Sequence, residues 1–379
     1  MTSNSPTSVA FSAIAALLGL GACGGAVNNT LGFADLDATT SGDAAITADA
    51  TLDASARDVA VVDVRTADVR TADVVFADTV VPADVHVVDV VSTVDVPPTD
   101  TGPSTGPVPS DPSLRTRDQV CARWTADRRL RATRTWVQGT AGACDPGTLD
   151  PEARADGFRV LNVYRWLSGL DASAVDPSLT AAQQQCALME GVNGALNHMP
   201  PATWRCYTAA GAAQAGRSNL AAGTRMNPAA AVDLWVNEPA QELGHARWCL
   251  APPLGPTDFG STDTTTSMNS FAATASATRP AWVAYPNQGV APFENAQGVW
   301  HVQDGTVSVA GRTVEMRDEA TGAVLATTPV STTGNYGNSA AVAWRPSGWT
   351  PSAGTVYRVT LRGGTGPAIS YTVTPVRCP

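Results

Sequence analysis

All ten tryptophans and all six tyrosines of this 379-residue chain lie beyond Leu114. Aromatic side chains supply much of the area a core buries, so a folded unit is expected only after that point. The stretch from Gly24 to Leu114 carries fifteen aspartates, three arginines and no glutamate. The chain's net charge of −10 therefore belongs to this stretch, and the remainder is nearly neutral. Asp53, Asp58, Asp63, Asp68, Asp73 and Asp78 recur at intervals of five. Stacked repeats need several coils to bury a core, and this phase is lost after Asp78. Residues 23–115 accordingly read as a disordered, self-repelling acidic tether, stiffened by Pro97, Pro98, Pro103, Pro107, Pro109 and Pro112. No loop there has the alternating acid and glycine of a calcium site.

The apolar run Val9 to Leu20 is too short to cross a bilayer as a helix, which needs about 20 residues. It leads into Leu20-Gly21-Ala22-Cys23, which resembles a bacterial lipoprotein signal, although Met1 to Ser8 holds no basic residue. The resemblance implies removal of residues 1–22, acylation of Cys23 and attachment to a membrane through that lipid anchor. Gly24 and Gly25 follow the cysteine where an aspartate is absent, which in that family implies the outer membrane. The expected location is the bacterial cell envelope or outside the cell.

Six further cysteines, Cys121, Cys144, Cys186, Cys206, Cys249 and Cys378, contain no CxxC pair. An even set of this kind fits disulfides in an oxidising compartment. Six cysteines allow 15 connectivities; the expectation adopted is pairing in order, Cys121–Cys144, Cys186–Cys206 and Cys249–Cys378.

Helical signals begin at Asp150-Pro151, with Phe158, Leu161, Tyr164 and Leu167 at helical spacing and Gly169 as the stop. A second helix is expected from Asp176-Pro177-Ser178, with Leu179, Ala182, Cys186 and Met189 on one face, running toward Pro200-Pro201. Leu161-Asn162-Val163-Tyr164-Arg165, the helix leading to His198, Ser218-Asn219-Leu220 and Gly244-His245-Ala246-Arg247-Trp248 follow in one order. That ordered set, spanning about Arg154 to Gly260, resembles the CAP superfamily of cysteine-rich secretory, antigen-5 and pathogenesis-related proteins. The resemblance implies an α-β-α sandwich with a central cleft in which His198 and His245 are the two histidines. It also implies that the cleft takes a divalent metal such as zinc in some members. Where the family has Gly-Glu-Asn, this chain reads Arg217-Ser218-Asn219, so Ser218 replaces a carboxylate. Glu238 stands near the position of a second cleft acid, and Glu242, three before His245, would meet it on one helical face if that segment is helical. Two imidazoles are one short of the three protein ligands usual for catalytic zinc. His86 and His301 read as incidental. No nucleophile elbow, phosphate loop or dinucleotide fingerprint is present, and scattered arginines on a nearly neutral body argue against nucleic-acid binding.

Beyond about Asn287 the pattern is β. Tyr357, Val359 and Leu361 alternate with polar residues, as do Tyr371 and Val373, around a Gly363–Pro367 turn. Arg312–Arg317 and Ala323–Thr328 read as another hairpin. The fold class expected is thus α+β: residues 116–286 form the CAP-like domain, and 287–379 a small sandwich resembling immunoglobulin or fibronectin modules. Trp344 and Trp349 are candidate platforms for carbohydrate. The function expected is capture of a lipid, peptide or cell-wall ligand at the cell surface. The alternatives are a metal-assisted hydrolase with His198 and His245 holding the ion and Glu238 or Glu242 as base, or a structural envelope protein.

Overall fold

Thr116 caps the first helix, α1 (Arg117–Asp127), through a reciprocal box with Gln119, satisfying amides that a helix start leaves unpaired. The computed structural model describes residues 107–379 apart from 138, 240–241 and 273–278. The signal at 1–22, Cys23, His86 and the aspartate series lie outside the described residues. The last part of the expected tether does not behave as one. Arg115 is buried, stacks on Trp166 and donates to the carbonyls of Pro109, Ser110 and Trp166. One guanidinium, with five donors in a fixed fork, thereby holds residues 109–115 onto the fold.

After a short hairpin of β1 (Trp136–Val137) and β2 (Thr148–Leu149), Asp150 accepts from the amides of Glu152 and Ala153, and Pro151 opens α2 (Pro151–Leu167). The cap and the proline act as the sequence predicts. The next helix, α3 (Thr180–Asn193), ends sooner than expected. Gly194 adopts a left-handed conformation (φ 61°), and its amide closes onto Glu190 and Gly191, so the helix stops before the two prolines. Three more helices follow: α4 (Ala209–Ala215), α5 (Pro228–Val236) and α6 (Gly244–Cys249).

Between them runs an antiparallel sheet in the order β3 (Ser218–Ala222), β5 (Thr265–Asn269), β4 (Phe259–Ser261). Side chains alternate across it. Leu220 packs with Cys186 and Met189 of α3, while Ala221, Met268 and Phe259 join the cluster of α2 and α5 built on Phe158, Leu161, Val232 and Trp235. A Cβ at Gly260 would run into the carbonyl of Gln183, so α3 sits very close to this sheet. Their interface is polar: Gln183 bonds Ser218, Gln214 and Ser267, and Gln184 bonds Ser261. Every polar atom buried there needs a partner, and these amides and hydroxyls supply one another.

Two larger sheets follow. One has the order β11 (Thr327–Val330), β12 (Ala341–Pro346), β8 (Trp300–Asp304), β6 (Trp282–Tyr285). The other has the order β10 (Val324–Leu325), β9 (Arg312–Asp318), β13 (Tyr357–Gly363), β14 (Ile369–Val376), β7 (Gly289–Pro292), with β7 parallel to β14. They share a cluster containing Trp300, Trp344, Met316, Tyr357, Val359 and Tyr371. The strand β6 lies before the expected boundary at residue 286 yet pairs with β8. Its Val283 and Tyr285 join the helical core, whereas Ala284 joins the sheet core. The described residues are mixed α+β, with six helices and several sheets. No described helix is long and apolar enough to cross a membrane.

The cysteine pairing differs from expectation in every bond. The disulfides are Cys121–Cys378 and Cys144–Cys206, and Cys186 and Cys249 are buried free thiols. Cys186 faces the apolar cluster on α3, and Cys249 lies in the core of α2 and α5. Two disulfides fit a non-reducing environment.

Candidate functional site

His245 is half-buried on α6, and its imidazole and amide, with the amide of Ala246, converge on one carboxylate. Glu238 Oε2 stands 2.6 Å from His245 Nδ1, while Glu238 Oε1 accepts from the amides of His245 at 3.1 Å and Ala246 at 3.5 Å. Opposite a carboxylate, Nδ1 carries the proton, which in a neutral ring makes Nε2 the acceptor. Glu238 reaches this position from just beyond α5, whose last turn ends at Val236.

His198 is exposed and tied elsewhere. Its Nδ1 lies 2.8 Å from the carbonyl oxygen of Ala215 at the end of α4. A carbonyl only accepts, so Nδ1 again carries the proton. Asn219 in β3 donates to the carbonyl of His245 at 3.1 Å and to Cys249 Sγ at 3.4 Å. Both histidine residues are therefore fastened to the five-residue stretch 215–219, at the start of β3.

Ser218 is buried on the face of β3 toward α3 and bonds Gln183 at 3.0 Å. The position that the family resemblance gives to a cleft carboxylate is here part of the buried amide and hydroxyl network. Glu242 does not meet His245. Residues 242 and 243 have φ of 70° and 51°, the helix starts only at Gly244, and Glu242 turns the other way. It accepts from Ser331 Oγ at 2.6 Å, Thr333 Oγ1 at 3.0 Å and the Gly334 amide at 2.5 Å. Burial raises its pKa, but those bonds prevail and hold the carboxyl below the usual range.

No family model, curated protein or solved structure matches this chain.

Glu190 escaped the sequence reading. It is 1% exposed, its Oε2 accepts from the Asn197 amide at 2.9 Å, and Oε1 has no protein partner. Burial pushes its carboxyl up to about 8, opposed by that one bond. The signal was present: Glu190 stands four after Cys186, on the face already marked as apolar. His301, read as incidental, is buried on β8 and stacked on Tyr285 at 5.6 Å. Burial, then the nearby Arg247 charge, pushes its pKa down to about 3. It is a neutral packed imidazole. Trp344 is wholly buried in the sheet core and offers no platform for a sugar. The other candidate, Trp349, rests against Tyr357 at 5.3 Å and donates to the Ala326 carbonyl at 2.7 Å.

Among the described residues no three His, Cys, Asp or Glu side chains stand close enough to hold one ion. His198 Nδ1 is engaged by the Ala215 carbonyl and His245 Nδ1 by Glu238. The burial of the Cys186 and Cys249 thiols, which pushes both pKa values up to about 12, argues against either as thiolate ligand or nucleophile.

The chemistry the arrangement does offer is mixed. On α6, Trp248 stands three positions after His245, on the same helical side. Its ring is 4.5 Å from that of Phe271, which is 44% exposed. Met199, beside His198, is also exposed. A hydrogen-bonding imidazole thus adjoins accessible apolar surface.

Proposed function

We propose that this chain is an exported CAP-type binding protein, tethered to the envelope through a lipid on Cys23, that captures a ligand with a polar head and an apolar body. The reading of the fold rests on the order of His198, Ser218-Asn219-Leu220 and Gly244-His245. It is supported by the placement of α3 on one face of the β3-β5-β4 sheet and α2 and α5 on the other. The two later sheets, closed over one apolar cluster, support an immunoglobulin- or fibronectin-like module.

One observation carries the functional reading: α6 presents His245, held by Glu238, beside the Trp248–Phe271 pair. A head-group hydroxyl would donate to the neutral imidazole, and an acyl chain would meet the rings, as in pockets that use few polar groups among apolar ones. A single-chain lipid has both parts. The test is titration of the full chain with a monoacylglycerol and with a lysophospholipid, each of which carries a glycerol hydroxyl, followed by tryptophan fluorescence. Saturable quenching is expected, weakened at least about tenfold, or about 1.4 kcal/mol, in both Phe271→Ala and His245→Ala. An unresponsive wild type would sink the reading, as would variants that bind as the wild type does.

A further inference from the structure

The α6 helix is held between the two halves of the described structure. Its buried side, Leu243 and Ala246, packs with Val299, Val330 and Ala343 around the β8, β11 and β12 strands. Its entry is enclosed by the loop 331–339, which joins β11 to β12. The Glu242 amide donates to the Ser331 carbonyl at 2.7 Å, and the Glu242 carboxylate accepts from Ser331, Thr333 and Gly334. Arg247 is fully buried, donates to the carbonyls of Glu242, Thr332 and Ser339, and lies 5.6 Å from the Tyr336 ring. A Cβ at Gly244 would press on that same ring.

We propose that the 331–339 loop positions His245, with Glu242 and Arg247 as positioning residues that set the orientation of α6 and hence the imidazole's bond to Glu238. This rests on reading the His245–Glu238 pair as the polar centre of the ligand site. A six-residue helix has little stability of its own, because helix nucleation costs more than so few bonds return. Residues 242 and 243 hold left-handed conformations that non-glycine residues adopt at a cost. The direction of α6 must therefore come from its anchors: Glu238, Asn219 and the α2–α5 core around Cys249 hold one side, and the β sheets with their 331–339 loop hold the other. By this account the β sheets are part of the binding site without lining it.

The test uses the full chain labelled with 15N and compares Glu242→Ala, Glu242→Gln, Thr333→Val and Glu238→Gln. Its readouts are the ring resonances of His245 and the exchange rates of the α6 amides. In Glu242→Ala the ring signals are expected to move toward those of Glu238→Gln, and α6 amides to exchange at least about tenfold faster, with α2 amides unchanged. Glu242→Gln, which keeps an acceptor for Gly334, should restore most of the wild-type spectrum. Thr333→Val removes one bond at an exposed side chain and should give a smaller displacement in the same direction, even if Glu242→Ala fails to fold. Wild-type ring signals and exchange rates in Thr333→Val and in any folded Glu242 variant would overturn the proposal. A failure of lipid binding leaves these readouts intact, so the two ideas fall separately.

Discussion

Cys121 is bonded to Cys378 across 257 residues of sequence, which makes the first helix and the segment just beyond the last strand one covalent piece. The arrangement closes nearly the whole described chain into a loop. In the chain-entropy account, closing so long a loop is worth about 5.5 kcal/mol, about 1 kcal/mol more than closing the 62-residue span of Cys144–Cys206. The Cys121→Ser, Cys378→Ser double variant should therefore unfold at lower urea than the Cys144→Ser, Cys206→Ser variant. Equal midpoints, or the reverse order, would contradict it.

Thiol mapping checks the other half of the cysteine assignment. Cys186 and Cys249 are buried, and burial pushes both thiols up to about 12, so neither is a ready nucleophile. Alkylation of the native, unreduced protein should leave both unmodified. Alkylation in denaturant without reductant should modify these two and spare Cys121, Cys144, Cys206 and Cys378. Modification of Cys249 in the native state would show that the Asn219 contact and its surroundings open readily.

What the sequence discloses here depends on whether burial is apolar. The β13–β14 hairpin was legible because Tyr357, Val359 and Leu361 alternate with polar residues, and it forms with Leu361 opposite Ile369. The expected hairpin after Arg312 was half right. Val324–Leu325 pairs with β9, but Thr327–Val330 crosses to the other sheet. The β3-β5-β4 sheet was not legible. All five residues of β5, Thr-Thr-Ser-Met-Asn, are buried, and its partners on α3 are glutamines. A reading keyed to apolar periodicity passes over such a strand. At the candidate site, the family resemblance singled out His198, His245 and Glu238, of which Glu238 and His245 are in contact while His198 bonds Ala215. Direction was beyond it: a left-handed turn at Glu242 and Leu243 sends one acid away from the imidazole it was expected to meet.

Glu190 should give the protein a distinctive pH dependence. Its folded carboxyl titrates at about 8 against a usual value near 4.5, so the folded state binds more protons between those limits. Stability then falls as pH rises through that window and levels off above it. Allowing for solvent screening, the loss is on the order of 3 kcal/mol. Glu190→Gln keeps an acceptor for the Asn197 amide and cannot ionise, so its unfolding free energy should vary less between pH 5 and pH 8.5. Urea unfolding at those two values decides it: parallel changes in wild type and variant would assign the dependence to other groups, such as Asp127 and Asp258.

Ser218 provides the sharpest contrast between pattern and packing. The family resemblance invites Ser218→Glu as a restoration of a missing cleft acid. In the structure the Ser218 hydroxyl is buried on the α3 side of β3 and is spanned by the Gln183 amide, which also binds Gln214 and Ser267. A glutamate there would push two extra methylenes into a close-packed interface and leave a carboxylate among side chains without an opposing cation. The expected result is a loss of about 2–4 kcal/mol, growing as pH rises and the new group ionises. Ser218→Ala removes only the hydroxyl and leaves Gln183 one partner short, so about 1–2 kcal/mol is expected. Denaturant unfolding of the two variants at pH 5 and pH 8 measures both effects. A Ser218→Glu protein as stable as the wild type, with faster lipid or metal association, would place residue 218 on the open side of the sheet and return it to the site.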